Sequence, residues 1–347
     1  LNADGKSDLL VGATGYSSSK GRAYIYTMND GVITGASTNN RLGWALAAAD
    51  LNADGRSDLI VGADGAPGDD TGKTYIFYND GNIPTTASSA DITITGNAAD
   101  DQFGYSFALG DFDSSGTIDL AVGAPVYSSV TGRVYIFYND GSIPTTAATA
   151  DITITGEASS LFGSAMTVGD LNADGESDLV VGARNYSSST GRAYIFYNDG
   201  SIPGNASSDQ FSRSLATGDF NFNGTIDLAV GASVADANTT STGSAYIFYN
   251  DGSIPTTAGS ADVTITGNAT LDSFGYAMAA GDLNTDGRTD LVVGAYGYSS
   301  STGRAYIFYN DGSIPTTAAT ADVTITGNAT GDSFGVSLTT GDLDTSS

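Results

Sequence analysis

Asp50-Leu51-Asn52-Ala53-Asp54-Gly55-Arg56-Ser57-Asp58, followed by Leu59-Ile60-Val61-Gly62-Ala63, is the stretch on which the reading of this chain turns. Counting Asp50 as position 1, carboxylate or amide oxygens stand at positions 1, 3, 5 and 9. Gly55 at position 6 permits a sharp turn, which directs the position 7 carbonyl, from Arg56, inward. An all-oxygen cage of six to eight ligands suits Ca2+ better than Mg2+, which keeps more of its waters. The apolar run that follows reads as a buried strand.

The same loop begins again at Asp111, Asp170, Asp219 and Asp282, with spacings between 49 and 63 residues. Its side-chain ligands are Asp50, Asn52, Asp54 and Asp58 in the first full copy. They are Asp111, Asp113, Ser115 and Asp119 in the next, then Asp170, Asn172, Asp174 and Asp178. The last two full copies offer Asp219, Asn221, Asn223 and Asp227, and Asp282, Asn284, Asp286 and Asp290. Carbonyls at position 7 come from Arg56, Thr117, Glu176, Thr225 and Arg288. The chain opens inside a further copy, with Asn2, Asp4, Lys6 and Asp8 at positions 3, 5, 7 and 9. Asp342 and Asp344 begin a last one. About one Ca2+ per repeat is expected. The Asp219 loop brings only two carboxylates and should bind most weakly, because affinity follows ligand charge. These are not EF-hands, since position 12 of the Asp50 loop is Val61 rather than Glu. Asp, Asn and Gly also favour plain turns, but a turn alone does not require the fixed Asp at position 9.

Repetition extends to the strands. In the unit that starts at Phe103-Gly104, strands are expected over Tyr105–Leu109, Ile118–Val122, Arg133–Tyr138 and Asp151–Thr155. β-Branched and aromatic runs between Gly, Asn and Asp clusters read as antiparallel strands. Asn139-Asp140-Gly141 tolerates the positive φ of a tight connection. No segment keeps a 3.6-residue period, so the chain is all-β. Four-stranded units of this length are the blades of a β-propeller. Two units are abbreviated, at Ile33–Ser37 and Ile202–Ala206, and their fourth strands should be short or irregular. Six first strands and six second strands can be counted. The expectation is one propeller domain over 1–347 with six blades, its last blade formed by Val336–Thr340 together with the N-terminal three strands. An excerpt of a longer array, or a strand exchanged into the next molecule of a polymer, would give the same pattern.

The totals narrow the function. The net charge is −27, with 39 acidic against 12 basic residues. That argues against nucleic acid, whose phosphates would be repelled, and against anionic membranes. There is no stretch of about 18 apolar residues, so no membrane-spanning helix is expected. Cys and His are both absent. The chain thus lacks the commonest general base and transition-metal ligand, and disulfides cannot report its redox compartment. A hydrolase using a calcium-bound water would have to share carboxylates already assigned as ligands, so an enzyme is not expected.

With these residues in view, the chain resembles the FG-GAP repeat of integrin α-subunit propellers. Phe103-Gly104, the acidic loop and Val122-Gly123-Ala124-Pro125 carry the likeness. Phe-Gly recurs at Phe162-Gly163, Phe274-Gly275 and Phe334-Gly335, and departs at Leu42-Gly43 and Phe211-Ser212. The resemblance implies a calcium-binding propeller, an extracellular or cell-surface setting, and binding at the face opposite the calcium loops. Integrin propellers have seven blades, against six here. The implied role is non-enzymatic adhesion, recognition or surface assembly, with a protein or glycan ligand. A carbohydrate-binding lectin and a structural subunit of an extracellular filament or layer, formed by self-association, are the alternatives.

Two other features recur. Tyr16-Ser17-Ser18-Ser19, Tyr127-Ser128-Ser129, Tyr186-Ser187-Ser188-Ser189 and Tyr298-Ser299-Ser300-Ser301 follow second strands, at the end opposite the acidic loops. They read as solvated turns with a packing Tyr, and alternatively as a ligand surface. Trp44, the only Trp, reads as local packing. Sequons for N-glycosylation occur at Asn185, Asn205, Asn238, Asn268 and Asn328, in keeping with a secreted glycoprotein; a sixth, at Asn223, falls within a metal loop.

Overall fold

The computed structural model describes all residues except 1–8, 27–30, 66–70, 82, 197–199, 204–209, 235–241, 256 and 341–347. The chain is all-β, a β-propeller of six antiparallel blades. Blade one holds β1 (Leu9–Gly12), β2 (Arg22–Tyr26) and β3 (Gly31–Thr34). Blade two holds β4 (Leu46–Ala49), β5 (Asp58–Ala63), β6 (Lys73–Phe77) and β7 (Ile92–Thr95). Blade three holds β8 (Ser106–Gly110), β9 (Asp119–Ala124), β10 (Arg133–Phe137) and β11 (Ile152–Thr155). Blade four holds β12 (Phe162–Gly169), β13 (Asp178–Ala183), β14 (Arg192–Phe196) and β15 (Gly200–Pro203). Blade five holds β16 (Phe211–Gly218), β17 (Asp227–Ala232), β18 (Ser244–Phe248) and β19 (Val263–Thr266). Blade six holds β20 (Phe274–Gly281), β21 (Asp290–Ala295), β22 (Arg304–Phe308) and β23 (Val323–Thr326). Each blade is a meander in which consecutive strands pair.

The chain divides into two compact units, one reaching Ser164 and the other running from Ala165 to Thr340. Within each, the core lies between neighbouring blades. In the first, Ile60, Ile76 and Ile94 of blade two pack with Phe103, Leu120, Val122, Tyr135 and Phe137 of blade three. In the second, Ile247 and Ile265 of blade five pack with Phe274, Leu291, Val293, Tyr306 and Phe308 of blade six. The second strands of blades two to six are buried on both faces, which is why they read as continuous apolar runs.

This packing gives the repeat signature its physical meaning. Phe103 is fully buried and meets Tyr135 and Phe137 edge-on, at 5.4 and 6.3 Å between ring centroids. Burying such a ring stabilises a fold by about 1.5–3 kcal/mol. Leu42 fills the same slot in blade two and is equally buried. Gly104 has φ +88, and a Cβ on Gly62 of the preceding blade would strike its carbonyl oxygen. Small residues here let adjacent blades approach backbone to backbone. Where Ser212 replaces the glycine it keeps the left-handed conformation, φ 64. Its hydroxyl donates to the Arg192 carbonyl at 2.8 Å and accepts from the Ala183 N–H at 3.1 Å.

Two expectations change. The fourth strands of the abbreviated blades, β3 and β15, are regular and as long as the others. Arg22 pairs with Thr34 and Arg192 with Pro203, in the register of Arg133 with Thr155. What the short repeats lose is the intervening loop. Ser142-Ile143-Pro144 is irregular in blade three, whereas the identical Ser201-Ile202-Pro203 is strand in blade four. Val336–Thr340, expected as a first strand, forms none among the described residues; a strand exists only where its backbone groups find a ladder partner. The expected meeting of 342–347 with 1–8 lies outside the described residues.

Candidate metal centres

Each acidic loop joins the first strand of a blade to the second. Its backbone is set by two left-handed residues, at positions 4 and 6. In the Asp111 loop these are Ser114 (φ 59) and Gly116 (φ 84). The N–H groups that such a tight path leaves unpaired are taken up by side-chain oxygens. Ser115 N–H donates to Asp111 Oδ1 and to Asp113 Oδ1, both at 3.0 Å, and Gly116 N–H donates to Asp111 Oδ2 at 2.8 Å. The pattern repeats with Asp50 and Asn52, Asp170 and Asn172, Asp219 and Asn221, and Asp282 and Asn284 as acceptors.

The Asp at position 9 has a second task that the sequence did not reveal. Asp119 is fully buried. Its Oδ2 accepts from Phe112 N–H at 2.8 Å, and its Oδ1 accepts from Asn139 N–H at 2.8 Å. It therefore ties the start of the acidic loop to the turn between the third and fourth strands. Asp58, Asp227 and Asp290 make the same pair of links, to Leu51 and Asn79, Phe220 and Asn250, and Leu283 and Asn310. The fixed ninth Asp thus has a structural reason as well as a chemical one. A carboxylate oxygen has two lone pairs, so an N–H bond leaves it able to ligate.

Asn139 was read only as a turn residue, yet it completes the arrangement. Its Nδ2 donates to the Ile118 carbonyl at 3.2 Å and to the Leu51 carbonyl of blade two at 2.5 Å. Asn250 and Asn310 reach Leu171 and Phe220 in the same way. The signal was available: Asn precedes Asp-Gly after every third strand. Position 7 side chains add a further tie. Thr117 and Thr225 donate to the Asn139 and Asn250 carbonyls, both at 2.8 Å, and Arg288 donates to Asn310 at 3.4 Å.

The structure brings Asp111, Asp113 and Asp119 together, one carboxylate oxygen from each lying within 4.8 Å of the others. Among the described residues no other group of three acidic side chains comes so close. The Asp50, Asp170 and Asp282 loops carry Asn at position 3, so an amide stands where Asp113 supplies a third charge. Their remaining assigned ligands, Asp54, Asp174 and Asp286, each accept the N–H of position 7 at 2.8–2.9 Å. In the Asp219 loop, Asn223 accepts from Thr225 instead. Asn2, Asp4, Lys6, Asp8, Asp342 and Asp344 lie outside the described residues.

Electrostatics favour a cation here. Burial pushes the Asp178 carboxyl up to about 6 against the pull of the Leu171 N–H, and the charges of Asp174 and Asp170 raise it further. Asp119 is raised by burial and, beyond that, by Asp113 and Asp111. Crowded carboxylates with no counter-charge fit a bound divalent cation, which would reverse these shifts.

At the opposite end of the blades, each Tyr-Ser turn holds its ring under an arginine. The Arg133 guanidinium carbon lies 3.8 Å from the Tyr127 ring centroid, and Arg22, Arg192 and Arg304 cover Tyr16, Tyr186 and Tyr298 at 3.5–3.7 Å. The rings are thus engaged by the blade itself, as packing Tyr residues would be. Trp44 is half-buried, 5.1 Å from Tyr105 and beneath Arg41 at 4.0 Å.

Together these features define a class: a β-propeller in which, among the described residues, five blades carry an acidic oxygen-rich loop between first and second strands. Residues 42–77, 103–137, 162–196, 211–248 and 274–308 each match the FG-GAP repeat, covering about half of the chain. The chain belongs to the FG-GAP repeat family. It is similar to integrin alpha-7 of Homo sapiens, 37% identical over 98 residues (27% of this chain and 8% of that protein). Integrin alpha pat-2 of Caenorhabditis briggsae is 27% identical over 255 residues, which is 70% of this chain and 17% of that protein. Phosphatidylinositol-glycan-specific phospholipase D of Bos taurus is 28% identical over 206 residues, 56% of this chain and 18% of that protein. The chain therefore spans less than about a fifth of the length of these relatives. No helix among the described residues is long and apolar enough to cross a membrane.

Proposed function

We propose that this chain is a calcium-stabilised, non-enzymatic recognition module of an extracellular or cell-surface protein. The observation that carries the calcium reading is the convergence of Asp111, Asp113 and Asp119 within a loop whose backbone they also organise. Ca2+ at about one per blade would be held by the oxygens at positions 1, 3, 5 and 9 and by the position 7 carbonyl. It would neutralise the carboxylates and pin each loop to the turn beside it. The integrin relatives support adhesion as the setting, with a protein or glycan ligand at the blade ends opposite the acidic loops. Exposed Asn268 and Asn328 are the sequons best placed to carry glycans.

Calorimetric titration of the full chain with CaCl2 tests the reading. Several exothermic sites are expected, and Asp111→Asn with Asp113→Asn should remove one of them. A chain that takes up no Ca2+ at millimolar concentration would sink the proposal. A glycan array and a panel of extracellular matrix proteins then separate the two ligand classes.

A further inference from the structure

Asn223-Gly224 is the one Asn-Gly pair in the sequence, and it falls inside an acidic loop. Asparagine followed by glycine is the pair most prone to lose its side-chain amide, because glycine has no side chain to shield its nitrogen. Asn223 stands at position 5 of the Asp219 loop, where the Asp50, Asp170 and Asp282 loops carry Asp54, Asp174 and Asp286. Both residues of the pair are exposed.

Each atom that such a reaction uses has a suitable partner. The attacking group is the Gly224 nitrogen, whose N–H donates to Asp219 Oδ2 at 2.9 Å. The carbon attacked is Cγ of Asn223. Its oxygen, Oδ1, accepts from Thr225 N–H at 2.8 Å, and the Thr225 hydroxyl lies 2.5 Å from the same oxygen. That hydroxyl has a single proton, shared with the Asn250 carbonyl at 2.8 Å, which can turn to Oδ1 as negative charge develops there. Donors placed where an oxyanion forms are a principal aid to acyl transfer. The leaving nitrogen, Nδ2, donates to Asp251 Oδ1 at 3.2 Å. The bond from Thr225 N–H to Oδ1 also closes a ring that contains both Cγ and the Gly224 nitrogen, so the reacting atoms are held near one another.

We propose that Asn223 is a self-modifying position, converted to aspartate by spontaneous deamidation. The Gly224 nitrogen bonds to Cγ while its proton passes by way of the Asp219 carboxylate to solvent. The Cγ–Nδ2 bond breaks, and Nδ2 takes up protons from solvent and departs as ammonia, leaving a cyclic imide. Water opens the imide. Cleavage between Cγ and the Gly224 nitrogen leaves aspartate, and cleavage at the main-chain carbonyl leaves isoaspartate. Asparagine and water thus become an acid and ammonia, with no other reactant. Aspartate is the product the loop accommodates, since Asp54, Asp174 and Asp286 accept the same position 7 N–H, at 2.8–2.9 Å, that Asn223 accepts.

The consequence for calcium rests on the calcium reading above, whereas the deamidation does not. The Asp219 loop would rise from two carboxylates to the three of its neighbours. It should then bind Ca2+ about tenfold more tightly, because affinity follows ligand charge.

The test follows the full chain in EGTA beside the blocked peptide Asn-Phe-Asn-Gly-Thr-Ile-Asp, the sequence of residues 221–227. The chain is produced without glycosylation, since a glycan on the Asn223 sequon would block the leaving nitrogen. Peptide mapping by mass spectrometry reads the amide-to-acid exchange, and chromatography separates aspartate from isoaspartate. Asn223 should convert at least as fast in the chain as in the peptide, with aspartate the main product. Thr225→Val should slow the chain about tenfold, and Thr225→Ser, which keeps the hydroxyl, should not. If Thr225→Val fails to fold, the ratio of chain to peptide decides. An Asn223 that survives while the peptide is consumed overturns the proposal. So does a mainly isoaspartate product, or a rate that Thr225→Val leaves unchanged in a folded chain. Asn223→Asp, made as the finished product, reads the calcium half by calorimetry. Unchanged affinity beside observed deamidation would fault the calcium reading of this loop and leave the modification standing.

Discussion

At the acidic end of blade three, six backbone N–H bonds from the acidic loop and its neighbouring turn run to the carboxylates of Asp111, Asp113 and Asp119 or to the Ser115 hydroxyl. At the other end of the same blade, Ser128, Ser129 and Val130 follow one another in the left-handed conformation. That turn is closed mainly by main-chain bonds and by Thr131, whose hydroxyl donates to the Ser128 carbonyl at 2.9 Å. The acidic end is organised by side-chain charge, the tyrosine end by backbone path and ring contact. Charge that organises a loop is also charge that repels. The acidic end should therefore respond to cations, and the tyrosine end should not.

Removing divalent cations is the strongest way to break this contrast. If each occupied loop contributes about 2–3 kcal/mol at saturating Ca2+, chelation should lower Tm by about 10 °C or more in a chain of this size. Differential scanning calorimetry in EGTA and in millimolar CaCl2 measures it, and coincident melting curves would refute the contrast. Next in size is Asp119→Ala, which removes a buried carboxylate and orphans the Phe112 and Asn139 N–H groups. A loss of about 2–4 kcal/mol is expected even in EGTA. An urea melt in chelator isolates this structural part. Were the loss confined to calcium buffer, the ninth Asp would be a ligand and nothing more.

How much of this was legible depended on whether the determinant was local. The four strands of blade three follow from short patterns and lie within two residues of where the sequence placed them, whereas Val336–Thr340 carries the pattern of a first strand and forms none among the described residues. The strand at Ser201–Pro203 was not legible, because Ser-Ile-Pro has no intrinsic preference that separates blade four from blade three. Its pairing with Arg192–Ile195 decides. The role of Asn139 rests on contacts 20 and 88 residues away, which a pattern of turn residues cannot show.

The tyrosine end has its own titrating group. Burial pushes the Asp272 carboxyl up to about 6, opposed by the Ala269 N–H and the Arg304 charge. Its pKa in the unfolded chain is near 3.8, so between these values the folded state holds a proton that the unfolded state has released. Its contribution to stability is therefore greatest below about pH 4 and declines as pH rises through about 6. Asp272→Asn cannot titrate. In EGTA, its Tm relative to the parent chain should rise by a few degrees from pH 4 to pH 7, and a constant difference would contradict the assignment. The same scan without chelator should look alike, because this end carries no metal loop.

The smallest effect concerns Val130, where φ is 62. The other three turns place serine here, at Ser19, Ser189 and Ser301, with φ between 58 and 65. A β-branched side chain is a poor occupant of the left-handed region, because Cβ and its branches crowd the adjoining carbonyl. Val130 is only half-buried, so little apolar contact offsets the strain. Val130→Asn keeps the N–H that donates to the Val126 carbonyl and the carbonyl that accepts from Leu161. Asparagine enters the left-handed region readily, so a gain of about 1 kcal/mol is expected, read as a rise of about 2–4 °C in Tm. The gain should be equal with and without Ca2+. A gain seen only in calcium would mean that the two ends of the blade are coupled, and that the division between charge and backbone path drawn above does not hold.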